Sequence, residues 1–150
     1  MSQVAARSAA EFEAGHDWLS TLEDVPLFEA LPKRHVRRVA KLARVRRFAP
    51  GSTLVRAGDS GKSFFVLLDG TAKVVRGGAR VRRLESGDYF GEMALLDGAP
   101  RSADVVAVGE VLALTIDRGG FSKLLSAEPT LAQTLLRTLA ARLRAAEISI

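Results

Sequence analysis

The spacing of hydrophobic positions changes twice along the chain. Val4, Ser8, Phe12, Gly15, Leu19 and Leu22 recur every three or four residues and predict an N-terminal helix with one moderately apolar stripe. Pro26 ends that pattern, and Val25, Leu27, Phe28 and Leu31 form a short apolar connector. Pro32 stands where a helix start tolerates proline. Val36, Val39, Ala40, Leu42 and Ala43 then give the apolar side of a second helix, with Arg34, Arg37, Arg38, Lys41 and Arg44 on its basic side. From residue 45 short β-rich runs alternate with glycine turns such as Gly58-Asp59, Asp69-Gly70, Ser86-Gly87-Asp88 and Asp97-Gly98, a spacing that predicts a small all-β sandwich or barrel up to residue 117. Gly77-Gly78 between 73–76 and 79–84 reads as a hairpin turn. Residues 64–68 are apolar without alternation, which predicts a strand buried on both faces. Helical spacing returns with Phe121, Leu124 and Leu125. Ser126, Glu128 and Pro129 supply start signals for a longer helix over 129–147, carried by Leu131, Leu135, Leu136, Leu139 and Leu143.

At 150 residues this is one compact domain in three segments: helical over 1–44, β over 45–117, helical again over 118–150. The mix of 47% hydrophobic and 26% charged residues excludes a chain that is disordered throughout. Apolar runs reach only five or six residues, too short to span a membrane, and the N-terminus lacks a basic-then-apolar signal pattern. The absence of cysteine excludes disulfides, thiolate metal sites and a cysteine nucleophile and fits the cytoplasm, the expected location. The net charge of +5 is uneven. Residues 1–32 hold one basic and six acidic residues, 33–47 hold eight basic and no acidic ones, and the remainder is near neutral. The basicity is therefore local, and residues 33–47 read as the solvated face of an amphipathic helix. No exposed aromatics interleave with these arginines, and nucleic acid is not expected as a partner.

The stretch 90–103 carries the candidate chemistry. It lies between two strand-like runs, where a tight turn is ordinary, yet Met93-Ala94-Leu95-Leu96 looks like a single helical turn. A helix start near Gly91 would direct free backbone N–H groups at an anion. Arg101 offers a planar fork suited to phosphate oxygens, Ser102 adds a hydroxyl, and the small residues at 102 and 103 allow close approach to the backbone. Glu92 can accept a hydrogen bond from a sugar hydroxyl. A carboxylate and a guanidinium held together can read a ribose and a phosphate at once.

This stretch, Phe90-Gly91-Glu92-Met93-Ala94-Leu95-Leu96-Asp97-Gly98-Ala99-Pro100-Arg101-Ser102-Ala103, resembles the phosphate-binding cassette of the cyclic nucleotide-binding domain family. That family includes the bacterial catabolite activator protein and the regulatory subunits of cyclic-AMP-dependent protein kinase. Residues 58–74 are similar to its glycine-punctuated strand pair, and Gly87-Asp88-Tyr89-Phe90 to the approach to the cassette. The resemblance implies an α+β fold, an antiparallel β-roll flanked by N-terminal helices and by a C-terminal hinge helix plus a long helix. It implies that Glu92 takes the ribose 2′-hydroxyl and that Gly91, Met93 and Ala94 line the ribose-phosphate. Arg101 would pair with the cyclic phosphate, assisted by Ser102 and the Ala103 amide. Val74 and Val81 would form apolar walls, and Arg142 with its neighbours would face the base. In the transcription-regulator branch a Thr-Ser pair on the last helix contacts adenine; Ala146-Glu147 stands at the matching positions here, which leaves the base preference open between cAMP, the expected ligand, and cGMP.

The expected function is a sensor that binds cAMP and relays occupancy through its C-terminal helix to a downstream protein partner, with a homodimer along that helix as a further possibility of the family. Twenty-two residues follow Glu128, fewer than the roughly 50 that a DNA-binding domain needs, so the chain is expected to be a stand-alone sensor or a fragment of a longer regulator. The alternative is a nucleotide-blind interaction module on the same fold. Gly58-Asp59-Ser60-Gly61-Lys62-Ser63 superficially resembles a phosphate-gripping P-loop, but Arg56 occupies the position of its first glycine and a strand follows where a helix is needed. His16 and His35 lack metal-ligand spacing, and no acid, base and nucleophile set marks an enzyme or calls for a catalytic cofactor.

Overall fold

The computed structural model describes residues 3–8 and 18–146. Its strands are β1 (Gln3–Ser8), β2 (Ala43–Phe48), β3 (Thr53–Val55), β4 (Ser63–Asp69), β5 (Ala72–Arg76), β6 (Ala79–Leu84), β7 (Tyr89–Phe90), β8 (Asp104–Ala107) and β9 (Val111–Asp117). Its helices are α1 (Trp18–Glu23), α2 (Lys33–Leu42), α3 (Glu92–Asp97), α4 (Arg118–Ala127) and α5 (Pro129–Ala146), with a 3₁₀ turn at Pro26–Phe28. The strands form two antiparallel sheets, one ordered β1-β2-β9-β4-β7 and the other β3-β8-β5-β6. This is the expected α+β arrangement, a β-roll carrying helices at both ends of the chain.

Two apolar cores follow from the pleat of β4. Phe64, Val66 and Leu68 point toward the helices, where they meet Val36 and Val39 of α2, Phe121 and Leu124 of α4 and Leu131 and Leu135 of α5. Phe65 and Leu67 point the other way, into the space between the sheets, with Phe48, Leu84, Val105 and Val111. A central strand covered on both faces has no polar side to show, which accounts for the unbroken apolar run at 64–68. The ring of Phe64 touches Phe121 (centroids 5.0 Å apart) and Tyr89 (5.6 Å), joining strand, hinge helix and site.

The N-terminal reading needs correction. The segment predicted to be helical from Val4 holds strand β1, which pairs with β2 through Ala6↔Arg46 and Arg7↔Val45. Without it β2 would present an open edge of N–H and C=O groups, and pairing satisfies them. A stripe containing serine and glycine is a weak competitor for that gain. Phe12, Gly15 and His16 lie outside the described residues. The helix survives as the short α1, where Leu22 is buried. The second helix ends at Leu42, and Ala43, read as helical, opens β2.

Other elements fall where the spacing puts them. Gly77 and Gly78, at φ +61° and +82°, close the β5–β6 hairpin with Arg76 opposite Ala79. Positive φ at both turn residues matches the twist of a two-residue hairpin. The basic side of α2 is exposed while Val36, Val39 and Ala40 are buried. His35 Nδ1 and Arg38 Nη1 lie 2.8 and 3.0 Å from the buried carboxylate of Glu128, tying α2 to the junction of α4 and α5. Among the described residues no helix is long and apolar enough to cross a membrane, and no cluster of His, Cys, Asp and Glu could hold a metal ion.

Phe64→Ala should cost about 3–5 kcal/mol by urea unfolding, because a large ring shared by β4, β7 and α4 leaves a cavity. Val108→Ala, at an exposed position, should stay within about 0.5 kcal/mol and serves as the reference.

Candidate functional site

Strand β7 is only two residues long because Gly91 turns the chain. Phe90 stacks flat on Phe65, with centroids 4.7 Å apart, which anchors the end of the strand. Gly91 sits at φ +94° and caps the start of α3. A Cβ there would lie 2.9 Å from both the Arg101 guanidinium and the Ser63 carbonyl, so a side chain is excluded by contact as well as by backbone strain. Helix α3 closes at Gly98, and Asp97 Oδ1 accepts the Ala99 N–H at 2.9 Å, starting the return toward Arg101.

Arg101 is held at both its backbone and its side chain. Its N–H donates to the Asp59 carbonyl (2.8 Å), and its carbonyl accepts from the Gly58 N–H (2.9 Å). Its guanidinium donates to the carbonyls of Gly91 (2.9 Å) and Ser63 (2.6 Å). The residue is only 9% exposed. Burial pulls its pKa below the ordinary value; the charge of Glu92 opposes that shift and the charge of Arg118 adds to it. Arg118, at the start of α4, donates to the Gly61 carbonyl, so α4 is fastened to the 58–63 segment that also holds Arg101. Two neutral carbonyls satisfy some donors of the fork, and among the described residues no carboxylate is ion-paired with it, which favours a nearby anion.

Glu92, the first residue of α3, is 2% exposed. Its Oε1 accepts from Arg142 Nη1 of α5 at 3.0 Å, and the Arg142 guanidinium also lies 5.8 Å from the centre of the Tyr89 ring. Glu92 Oε2 is buried with no hydrogen-bond partner. A carboxylate oxygen in that position is a site for an incoming donor.

All ten residues singled out from the sequence line one cavity of about 860 Å³. Gly91, Glu92, Met93 and Ala94 form one side and Arg101, Ser102 and Ala103 the next. Val74 and Val81 of the β5–β6 hairpin form a wall, and Arg142 reaches in from α5. Arg142, expected to face a base, lines the cavity and donates through Nη1 to the buried carboxylate of Glu92. Ala145 and Ala146 of the same helix line the mouth, and Glu147 lies outside the described residues.

Sequence reasoning missed Arg76, Arg82, Val55 and Val105, which also line the cavity. Arg76 was within reach of the pattern, being two residues from Val74 and so on the same face of β5. Arg82 sits opposite Val74 across the hairpin only because the register shifts by one between Val75 and Val74; the Gly77-Gly78 turn alone would put Val81 there. The role of Arg118 as a fastener had no sequence signal.

Residues 45–128 match the cyclic nucleotide-binding domain family. A cAMP-dependent protein kinase regulatory subunit from Hypocrea atroviridis is 36% identical over 104 residues, covering 69% of this chain and 22% of that protein. The chain thus spans about a fifth of the length of this curated relative. Among solved structures, the regulatory domain of Toxoplasma gondii PKA with cAMP superposes with a TM-score of 0.74 at 26% identity, covering 90% of this chain and 50% of that one. The regulatory subunit of a cAMP-independent protein kinase A from Trypanosoma brucei gives 0.77 at 26% identity, with 87% and 47% covered. The cassette, the β-roll around it and the match over more than half the sequence lead to one conclusion: the chain belongs to the cyclic nucleotide-binding domain family.

Proposed function

We propose that the 860 Å³ cavity binds cAMP and that the chain works as a cytoplasmic regulatory sensor, not as an enzyme. The observation that carries this reading is the pairing of two unmet demands in one cavity. Arg101 is a buried cation without a compensating anion on its fork, and Glu92 Oε2 is a buried acceptor without a donor. A cyclic phosphate meets the first demand and a ribose hydroxyl the second. The Ser102 hydroxyl and the Ala103 amide stand beside Arg101 in sequence and line the same cavity, where they would supplement the phosphate contact. The names of the relatives support cAMP, and cGMP is the comparator.

The relay follows from how the two anchors are attached. Glu92 holds α5 through Arg142 with one oxygen and leaves the other for the ligand. A sugar hydroxyl can therefore bind without displacing Arg142, and the charge on Glu92 becomes shared between ligand and helix. At the other anchor, Arg101 and Arg118 both grip the 58–63 segment, so settling a phosphate onto Arg101 bears on the start of α4. Occupancy then shifts the population of positions that α4 and α5 adopt. A downstream protein would read that shift. Leu136 and Leu143 of α5 are exposed, as a homodimer along this helix would require.

A second reading keeps the fold and loses the ligand. It is favoured by the similarity to the Trypanosoma brucei protein, which is described as cAMP-independent.

Calorimetric titration separates the two. Cyclic AMP should give saturable heat, and Arg101→Leu should weaken binding by about 2–4 kcal/mol, because the buried phosphate loses its counter-charge. No heat with cAMP or cGMP at millimolar ligand favours the nucleotide-blind module. Glu92→Gln should weaken cAMP binding by about 1.5–3 kcal/mol while changing the affinity for 2′-deoxy-cAMP little, since a hydrogen bond to a charged acceptor is what the hydroxyl loses. Equal losses for both ligands would remove Glu92 from sugar recognition.

A further inference from the structure

The inner face of the roll has a second opening. Strand β2 alternates so that Arg46 shares a face with Phe48, which lies in the core between the sheets, whereas Val45 faces the helices. Arg46 therefore points toward the inter-sheet space at its open end, with its guanidinium 5.1 Å from the centre of the Phe48 ring. There it borders a cavity of about 380 Å³ enclosed by β2, β3, the 56–63 segment and Arg101. Arg46, Arg56, Lys62 and Arg101 line it, against one carboxylate, Asp59. Leu54, Val55 and Phe65 form an apolar floor, and Ser60 and Ser63 add polar edges. Among the described residues none of Arg46, Arg56 or Lys62 has a carboxylate within ion-pair distance. Burial lowers the pKa of Arg46, a sign that its charge is partly desolvated without compensation.

An arginine turned toward the roll is partly desolvated, and among the described residues the Phe48 ring offsets part of that cost while no carboxylate does. The segment involved is the one whose sequence resembles a P-loop. Its structure, running directly into β4, excludes the nucleotide-triphosphate site that the motif builds, yet Lys62 and Ser60 still stand beside two guanidinium forks. Forks and a lysine together suit phosphoryl oxygens, and even without Arg101 three cations against one acid call for several negative charges on the ligand. The enclosed volume is at the small end of the range for ligand sites, which fits a compact molecule and not a polymer backbone.

We propose that this cavity is a binding site for a small polyanion bearing phosphoryl groups, with Arg46, Arg56 and Lys62 as its donors. The cavity adjoins the larger one, sharing Val55 and Arg101 with it, but Arg46, Arg56 and Lys62 line this one alone, and the inference does not depend on cAMP being the ligand in the other.

Titrating the isotope-labelled chain with inorganic pyrophosphate at fixed ionic strength, read by amide resonances, tests it. Saturable shifts at residues 54–56 and 59–63 with a Kd below about 1 mM are expected. The double variant Arg56→Gln/Lys62→Gln, altered only at exposed positions, should fold as the parent does and weaken that binding about tenfold. Shifts confined to 91–94 and 102–103, shifts that never saturate, or an unchanged affinity in the double variant would overturn the proposal. Citrate binding as tightly at the same residues would overturn the phosphoryl assignment.

Discussion

A guanidinium cannot be buried cheaply, and the architecture around Arg101 is arranged to hold one nonetheless. Its fork rests on two carbonyls, from Gly91 and Ser63, and its backbone is clamped on both sides by the 58–59 turn. Each of these partners comes from a different piece of chain: the strand–helix turn, the central strand and a loop at the end of the roll. The fold is thus organised so that three segments converge on one cation. The glycine at 91 is required by the same constraint, because any side chain would occupy the space the fork uses. Breaking the convergence would disturb the cassette, the β4 edge and the hinge together.

Glu92 is the counterpart. It lies at the start of a six-residue helix, inside the protein, with one oxygen committed to α5 and the other uncommitted. A buried carboxylate with a free oxygen is a stored cost, and such costs are commonly located where a ligand relieves them. Through Arg142 that carboxylate is linked to the last helix, so the relief bears on α5. The two anchors differ in kind, since Arg101 is fastened toward α4 through the 58–63 segment and Glu92 toward α5 through Arg142. A ligand that touches both bears on the whole C-terminal unit.

The site was legible in the sequence to the extent that its parts are local. Gly91, Glu92 and the 93–96 turn are consecutive, and Arg101 to Ala103 follow within one return of the chain, so residue types and spacing sufficed. The valine walls came from the family resemblance, and Gly77-Gly78 marked the hairpin that carries them. The long-range facts were not legible. The bond from Arg142 to Glu92 spans 50 positions, and no periodicity distinguishes that arginine from Arg137 or Arg144 on the same helix. Strand β1 was misread for a related reason: its conformation is set by the open edge of β2, some forty residues away, and not by its own weak pattern. The inward turn of Arg46 was hidden because a run of basic residues over 33–47 crosses from helix to strand, where the rule for which side chains face solvent changes from a period of 3.6 to one of 2.

The central claim is that one cavity reads a cyclised phosphodiester and its sugar together. The most direct measurement is a crystal structure of the chain grown with cAMP. The account predicts the phosphate within hydrogen-bond distance of the Arg101 fork and a ribose hydroxyl on Glu92 Oε2, with Arg142 still on Oε1. An empty cavity at saturating ligand, or a nucleotide bound with its phosphate away from Arg101, would contradict it.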